Sequence, residues 1–139
     1  MSAVLALDVG SVRIGVAVCE GAGVPAVPLA TLVRGKFADD VAAIVRLAAE
    51  RNARTLVVGY PIRLDGSVGP AAAKIDRFIA ELGAHFDGEI VRQDERLTTA
   101  SAQKKLRELD LSGSKRRQHV DAVAAVEILN SYLAGTRRG

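Results

Sequence analysis

The stretch Val4-Leu5-Ala6-Leu7-Asp8-Val9-Gly10 constrains this chain more than any other. Five of the six residues before Gly10 are apolar, and the sixth is a carboxylate. Such a run reads as a strand buried on both faces of a sheet. An ionised carboxylate inside it is costly unless it is paired, hydrogen-bonded or bound to a metal. Asp8 stands near the end of the run, with one residue between it and a glycine that can turn the chain. The position suits a site at the mouth of a sheet. It also suits an acid that only caps the turn.

The rest of the chain supplies partners for this strand. After a turn at Gly10-Ser11, the apolar run 13–19 returns as a second strand. Glu20-Gly21-Ala22-Gly23 is the next turn. Residues 26–33 form a third strand, whose Pro25 and Pro28 put its start at an edge or an irregular entry. Three strands joined by short turns make an antiparallel meander. The pattern then changes. Val41, Ile44, Val45 and Ala48 recur at helical spacing within 39–51. Residues 55–59 are a short apolar strand, and 60–69 a loop with Pro61, Asp65, Gly66 and Gly69. Pro70 opens a helix to about Leu82. Residues 89–93 are a fifth strand, which delivers Asp94-Glu95-Arg96. Thr98 or Thr99 caps a helix to about Leu109. Residues 110–118 read as a polar loop, and a last helix runs from about His119 to Leu133. The order βββ-α-β-α-β-α-α predicts an α/β fold. Its mixed five-stranded sheet, a three-strand antiparallel meander plus parallel strands, carries helices on both faces. Loops leaving the C-terminal ends of the parallel strands are where such sheets keep their chemistry.

Length and composition narrow the class. The 139 residues suit one domain spanning 1–139, with 49% apolar and 25% charged residues. No apolar run approaches the roughly 18 residues of a membrane span. No basic region and cleavage pattern of a secretory signal is present. The expectation is a cytoplasmic protein with no membrane partner. A single cysteine excludes an internal disulfide, and Cys19, inside an apolar run, reads as a small buried hydrophobe. His85 and His119 read as surface or flanking residues without a catalytic role. The net charge is only +3. Residues 104–139, however, hold eight Lys/Arg against four Asp/Glu, and residues 1–103 hold eleven against twelve. The basic excess in the last quarter suits a polyanionic partner.

Three acidic positions can converge on the sheet edge. Asp8 ends the first strand, and Asp94 and Glu95 end the fifth. Asp121 heads a helical stripe of Ala125, Ile128, Leu129 and Tyr132 that is apolar and therefore faces the core. A carboxylate at the head of such a stripe is out of place unless something compensates it; otherwise it is an acid in the first turn, favoured by the helix dipole. Magnesium or manganese prefers carboxylate oxygens. A pair of such ions about 4 Å apart serves phosphodiester cleavage. Arg63, in the loop after the fourth strand, can meet a phosphate. Lys115, Arg116 and Arg117 precede the helix of Asp121 and can hold a phosphate backbone, or form a solvated loop. Arg13 and Arg96 lie closer to the acids and can serve the substrate, or act as structural partners of Asp8 or Asp94.

Four stretches together resemble one family. Asp8-Val-Gly-Ser-Val-Arg-Ile-Gly-Val-Ala17, Val58-Gly-Tyr-Pro-Ile-Arg-Leu-Asp-Gly-Ser67, Asp94-Glu-Arg-Leu-Thr-Thr99 and Val120-Asp-Ala-Val-Ala-Ala125 are similar, in order, to the motifs of the YqgF (RuvX) family. The resemblance covers nearly the whole chain. It implies a ribonuclease H-like fold and a metal-dependent nuclease using Mg²⁺ or Mn²⁺. Members are described as Holliday junction resolvases and as nucleases that mature the 5′ end of pre-16S ribosomal RNA. By position, the resemblance makes Asp8, Glu95 and Asp121 the catalytic, metal-binding acids. Resolvases of the RuvC type carry an acid at the end of the fourth strand, where this chain reads Gly59-Tyr60-Pro61. The second carboxylate must therefore come from Asp94 or Glu95, and Glu95 has the longer reach.

The expected activity is hydrolysis of phosphodiester bonds in structured nucleic acid, either precursor ribosomal RNA or branched DNA. A junction substrate, being two-fold symmetric, calls for a homodimer. Two rivals remain at this stage. One is a non-catalytic nucleic-acid-binding or ribosome-assembly factor on the same fold. The other is an actin-like ATP-binding domain, since Asp8-Val-Gly-Ser also resembles the phosphate loop of that class.

Overall fold

The computed structural model of the chain describes residues 2–62, 65–95 and 114–138. The elements follow as β1 (Ala3–Val9), β2 (Arg13–Cys19), β3 (Val27–Val33), α1 (Phe37–Glu50), β4 (Ala53–Tyr60), α2 (Pro70–His85), β5 (Glu89–Asp94) and α3 (Ser114–Arg138). They build one five-stranded sheet in the order β3-β2-β1-β4-β5. β1, β2 and β3 are the expected antiparallel meander. β4 and β5 run parallel to β1. β1 lies at the centre, and all seven of its residues are buried. β3 is an edge strand, and its pairing with β2 slips between Val16 and Ala17, opposite Pro28. A proline that cannot donate to the ladder is tolerated there.

Side-chain alternation divides the sheet into two unlike faces. Leu5, Leu7, Val9, Ile14, Val16, Leu56 and Val58 pack against Val41, Ile44, Ile75, Phe78 and Leu82 of α1 and α2. Each such side chain contributes about 1.5–3 kcal/mol by leaving water. Val4, Ala6, Ala17, Cys19 and Val57 pack against Ala124, Ala125, Ile128 and Leu129 of α3. This second face is built mostly of small residues, which lets α3 lie close to the strands. Cys19 is buried there as expected, and its thiol donates to the carbonyls of Gly21 and Val24 at 3.3 Å each.

Several boundaries differ from the sequence expectation, two of them for reasons visible in the chain. β4 begins at Ala53 rather than Thr55. α1 closes on Arg51, and Asn52 takes a left-handed φ of 54°, a helix stop that Asn tolerates. The strand then starts at once. The last helix begins at Ser114, so part of the expected loop 110–118 is helical. Lys115, Arg116, Arg117 and Gln118 are good helix formers despite their polarity. Asp121 is therefore the eighth residue of α3 and no acid lies in its first turn. A dipole effect confined to the first turn does not reach it. The expected helix over 98–109 lies outside the described residues.

Candidate functional site

Four acids are buried among the described residues: Asp8, Asp40, Glu95 and Asp121, each no more than 6% exposed. Asp40 is a structural bracket. Its two oxygens accept from Arg34 Nε at 3.2 Å and from the Gly35 backbone N–H at 3.0 Å. Arg34 also donates to the Gly10 carbonyl at 3.0 Å and lies over the Phe78 ring. This knot ties the end of β3 to the β1–β2 turn and to α2, on the α1/α2 face. The other three acids belong to the opposite face.

Asp8 lies between Leu7 and Val9, both in the α1/α2 core. Alternation therefore turns it, like Ala6, toward α3. Its antiparallel partner on β2 is Gly15. On β4, Leu7 pairs with Val58, which brings Gly59 alongside Asp8. Asp8 is thus flanked by a glycine on either side, and each glycine makes room for another acid. A Cβ on Gly15 would collide with the backbone carbonyl of Asp121. A Cβ on Gly59 would stand 2.7 Å from both Glu95 Oε2 and the Ile128 Cδ1 of α3. The α3 backbone at Asp121 therefore rests on Gly15, and the Glu95 carboxylate lies over Gly59. The three acids, from positions 8, 95 and 121, lie on one face at the C-terminal ends of the parallel strands.

The choice between Asp94 and Glu95 follows from the same alternation. Val91 packs with the α3 core and Ile90 with the α1/α2 core. Two-residue steps put Glu95 on the side of Val91 and Asp94 on the side of Ile90. Glu95 is buried, its backbone N–H donates to the Tyr60 carbonyl at 3.3 Å, and Asp94 is half-buried. Below this rim, on the α1/α2 face, Tyr60 Oη donates to Asp76 Oδ2 at 3.0 Å and Arg92 Nε donates to Asp76 Oδ1 at 3.1 Å. The hydrogen bond to Asp76 is the main reason the Tyr60 phenol sits above its ordinary value of 10.0; Arg92 pulls the other way.

Arg13 is on the acid face, and its Nε donates to Asp121 Oδ2 at 2.7 Å. Its side chain is 14% exposed and that of Asp121 5%. Its carboxylate partner is thus Asp121, rather than the Asp8 or Asp94 considered from sequence. Among the described residues, no group of three His, Cys, Asp or Glu side chains stands close enough together to enclose a metal ion. The donor set itself suits a hard divalent cation, being carboxylate oxygen throughout. Gly15 lets the α3 backbone at Asp121 lie against β2, and Gly59 leaves room for the Glu95 carboxylate and the Ile128 tip. Arg63 and Arg96 lie outside the described residues. Lys115, Arg116 and Arg117 fall in the first turn of α3, where the backbone alone is described. His85 pairs with Glu81 at 3.3 Å on the surface. Sequence reasoning missed Gly15. Only the pairing of Asp8 with Gly15 exposes its role, and that register is a property of the folded sheet.

A mixed sheet in this order, with carboxylates at the ends of its parallel strands, defines an α/β protein of the ribonuclease H-like class. Solved structures share that architecture. The chain superposes on Thermus thermophilus RuvC with a TM-score of 0.56 at 9% identity, covering 96% of each chain. It superposes on T. thermophilus RuvC in complex with a Holliday junction substrate with a TM-score of 0.54 at 13% identity, covering 98% and 97%. Residues 2–135 match the model of the RuvX family, described as Holliday junction resolvase, and the chain belongs to that family. A Clostridium perfringens relative is 38% identical over 130 residues, covering 94% of this chain and 95% of its own. One from Chloroflexus aggregans is 41% identical over 134 residues, covering 96% and 94%. Both are named as candidate pre-16S rRNA nucleases. The family is one of nucleases, so the chain is a hydrolase acting on nucleic acid. Nucleases of this fold class work with divalent metal. No helix among the described residues is long and apolar enough to cross a membrane.

Proposed function

We propose that the protein is a metal-dependent endonuclease for structured nucleic acid, with Asp8, Glu95 and Asp121 as the residues that hold one or two Mg²⁺ or Mn²⁺ ions. One observation carries this reading: three buried carboxylates from β1, the end of β5 and α3 share one face at one strand-end rim. A metal bound there supplies a nucleophilic water and charge stabilisation for in-line phosphodiester hydrolysis. The chain's own residues do the rest. Gly15 lets α3 bring Asp121 against β2, and Gly59 admits the Glu95 carboxylate beside β4. Arg13 neutralises Asp121, and a metal held there would share that carboxylate with the guanidinium. Arg63, Arg96, Lys115, Arg116 and Arg117 meet the phosphate backbone. This reading carries with it a cytoplasmic location.

The relatives' names point to precursor ribosomal RNA, and the family description points to a four-way junction. Both substrates are phosphodiesters that one site can cleave, and they differ in symmetry. A junction requires two copies of the site about a two-fold axis, and an RNA does not. The test is single-turnover cleavage of a four-way DNA junction and of a precursor rRNA fragment, each with Mn²⁺ and with chelator. Wild type should cleave at least one, only with metal, and Asp121→Asn should not. Equal activity in both proteins would remove Asp121 from the site. Cleavage of the junction alone, by a dimer, would select resolution; cleavage of RNA by a monomer would select processing.

A further inference from the structure

A cavity of about 760 Å³ lies on the α1/α2 face of the sheet, away from the three acids. It opens at the same rim. Val9, Gly10 and Ser11 line it, and they follow Asp8 directly in the chain. Successive strand residues face opposite ways, so Asp8 addresses the α3 side and Val9 borders the cavity. A polymer lying across the rim at Asp8 reaches this cavity with the units next to the reacting one. Its volume falls in the range of about 300–1,000 Å³ that holds a small organic ligand.

The walls select a ligand that is flat and anionic. Phe37, at the first position of α1, is 42% exposed and meets Phe78 edge-on at 5.7 Å between ring centroids. Ile75 adds apolar surface beneath. Beside Ile75 and Phe78 on the same helix, Lys74 and Arg77 stand one turn apart on exposed positions of α2, and no described carboxylate forms an ion pair with either. Arg34 adds a third positive group, already committed to Asp40 and Gly10. The acid on this wall, Glu81, pairs with His85. Aromatic surface beside unpaired cations is how a protein holds a single-stranded nucleic acid: the base stacks and the phosphate is neutralised.

We infer that this cavity is a nucleotide subsite, taking an unpaired nucleotide that flanks the cleaved phosphate, its base against Phe37 and its phosphate on Lys74 and Arg77. The inference rests on the nuclease reading for its substrate. It adds a requirement for single-stranded or unstacked nucleic acid beside the cleavage point.

The test measures binding of a fluorescein-labelled single-stranded RNA oligonucleotide in chelator, which prevents cleavage. Phe37→Leu keeps the packing against Phe78 and should weaken binding about fivefold or more, the low end of what base stacking contributes. Lys74→Ala/Arg77→Ala, at exposed positions that cannot unfold the protein, should lower the slope of log affinity against log salt by about 1.4. A 2-aminopurine placed in the strand should be quenched by wild type and less by Phe37→Leu. Adenosine monophosphate serves as a competitor. Binding within twofold of wild type in both variants overturns the subsite. Competition by the mononucleotide as strong as by the strand overturns the strand-borne ligand in favour of a free nucleotide. Binding that depends on Phe37, Lys74 and Arg77 without any metal-dependent cleavage keeps the subsite and removes the nuclease reading instead.

Discussion

The two faces of this sheet bury acids in different settings. On the α1/α2 face, Asp40 sits among large apolar side chains, and Arg34 and the Gly35 amide take up its two oxygens. On the α3 face, Asp8, Glu95 and Asp121 gather where the neighbours are glycine and alanine. All four carboxylates are comparably hidden from water. Burial alone therefore does not mark a reactive acid. What differs is that the three acids stand at the strand-end rim, where β2 and β4 carry glycines, and so no side chains, beside Asp8.

The sharpest way to break this contrast is to neutralise one acid from each face. Asp8→Asn and Asp121→Asn should each lower Mn²⁺-dependent single-turnover cleavage about a hundredfold or more, since even the outer partners of a metal site cost up to that much. Asp40→Asn should leave cleavage by the folded protein within about twofold. It should instead cost about 1–3 kcal/mol in urea unfolding, because it disturbs a buried hydrogen-bonded carboxylate. A hundredfold loss from Asp40→Asn, or none from Asp8→Asn, would erase the distinction.

Arg13 offers the next largest effect. Its pair with Asp121 is mostly buried, and removing one member of such a pair typically costs about 3–5 kcal/mol. Arg13→Gln should therefore unfold at markedly lower urea in chelator. Mn²⁺ should then restore more stability to the variant than it adds to wild type, because the ion replaces the missing positive charge beside Asp121. The measurement is the Mn²⁺-induced shift of the unfolding midpoint in the two proteins. An equal shift would mean that the ion and Arg13 do not share Asp121.

The two glycines sharpen the comparison through space rather than charge. Gly15→Ala meets the backbone of α3, which cannot move without leaving the sheet. It should cost about 3 kcal/mol, the upper part of the overpacking range. Gly59→Ala meets only the tips of Glu95 and Ile128. Its cost in stability should be nearer 1 kcal/mol, while cleavage falls because the displaced tip is the Glu95 carboxylate. Urea unfolding and single-turnover cleavage on the same preparations separate the two cases.

Much of this was legible before any coordinates. The alternation of apolar runs and turns gives the meander, the parallel strands and the two-faced packing, because burial imposes those periods directly. Asp8 announces itself as a carboxylate inside an apolar strand. From sequence, reach alone favours Glu95 over Asp94, whereas the folded chain separates them by parity: counting in twos from Val91 reaches Glu95. Other features depend on contacts that no local pattern encodes. Gly15 looks like any strand glycine until β2 is paired with β1 in register. Arg13 and Asp121 lie 108 residues apart, so nothing local couples them. The basic run before Asp121 reads as a loop by its polarity, and its helix propensity prevailed instead.

The smallest effect lies at the seam of the two faces, where Tyr60 ends β4 and pairs in register with Asp94. Asp76 accepts its hydroxyl proton in a hydrogen bond, and losing that proton would set a phenolate beside a carboxylate. The folded protein therefore holds the phenol above 10.0. A group raised on folding contributes its stability below the unfolded value and loses it as pH climbs through the folded one. Stability should thus decline a little above pH 10, and Asp76→Asn should flatten that decline while ultraviolet difference spectra show Tyr60 titrating lower. Cleavage near neutral pH should be unchanged, because this hydrogen bond lies on the α1/α2 side of the rim. A pH-dependent loss of cleavage in Asp76→Asn would mean that the two faces are coupled through the end of β4.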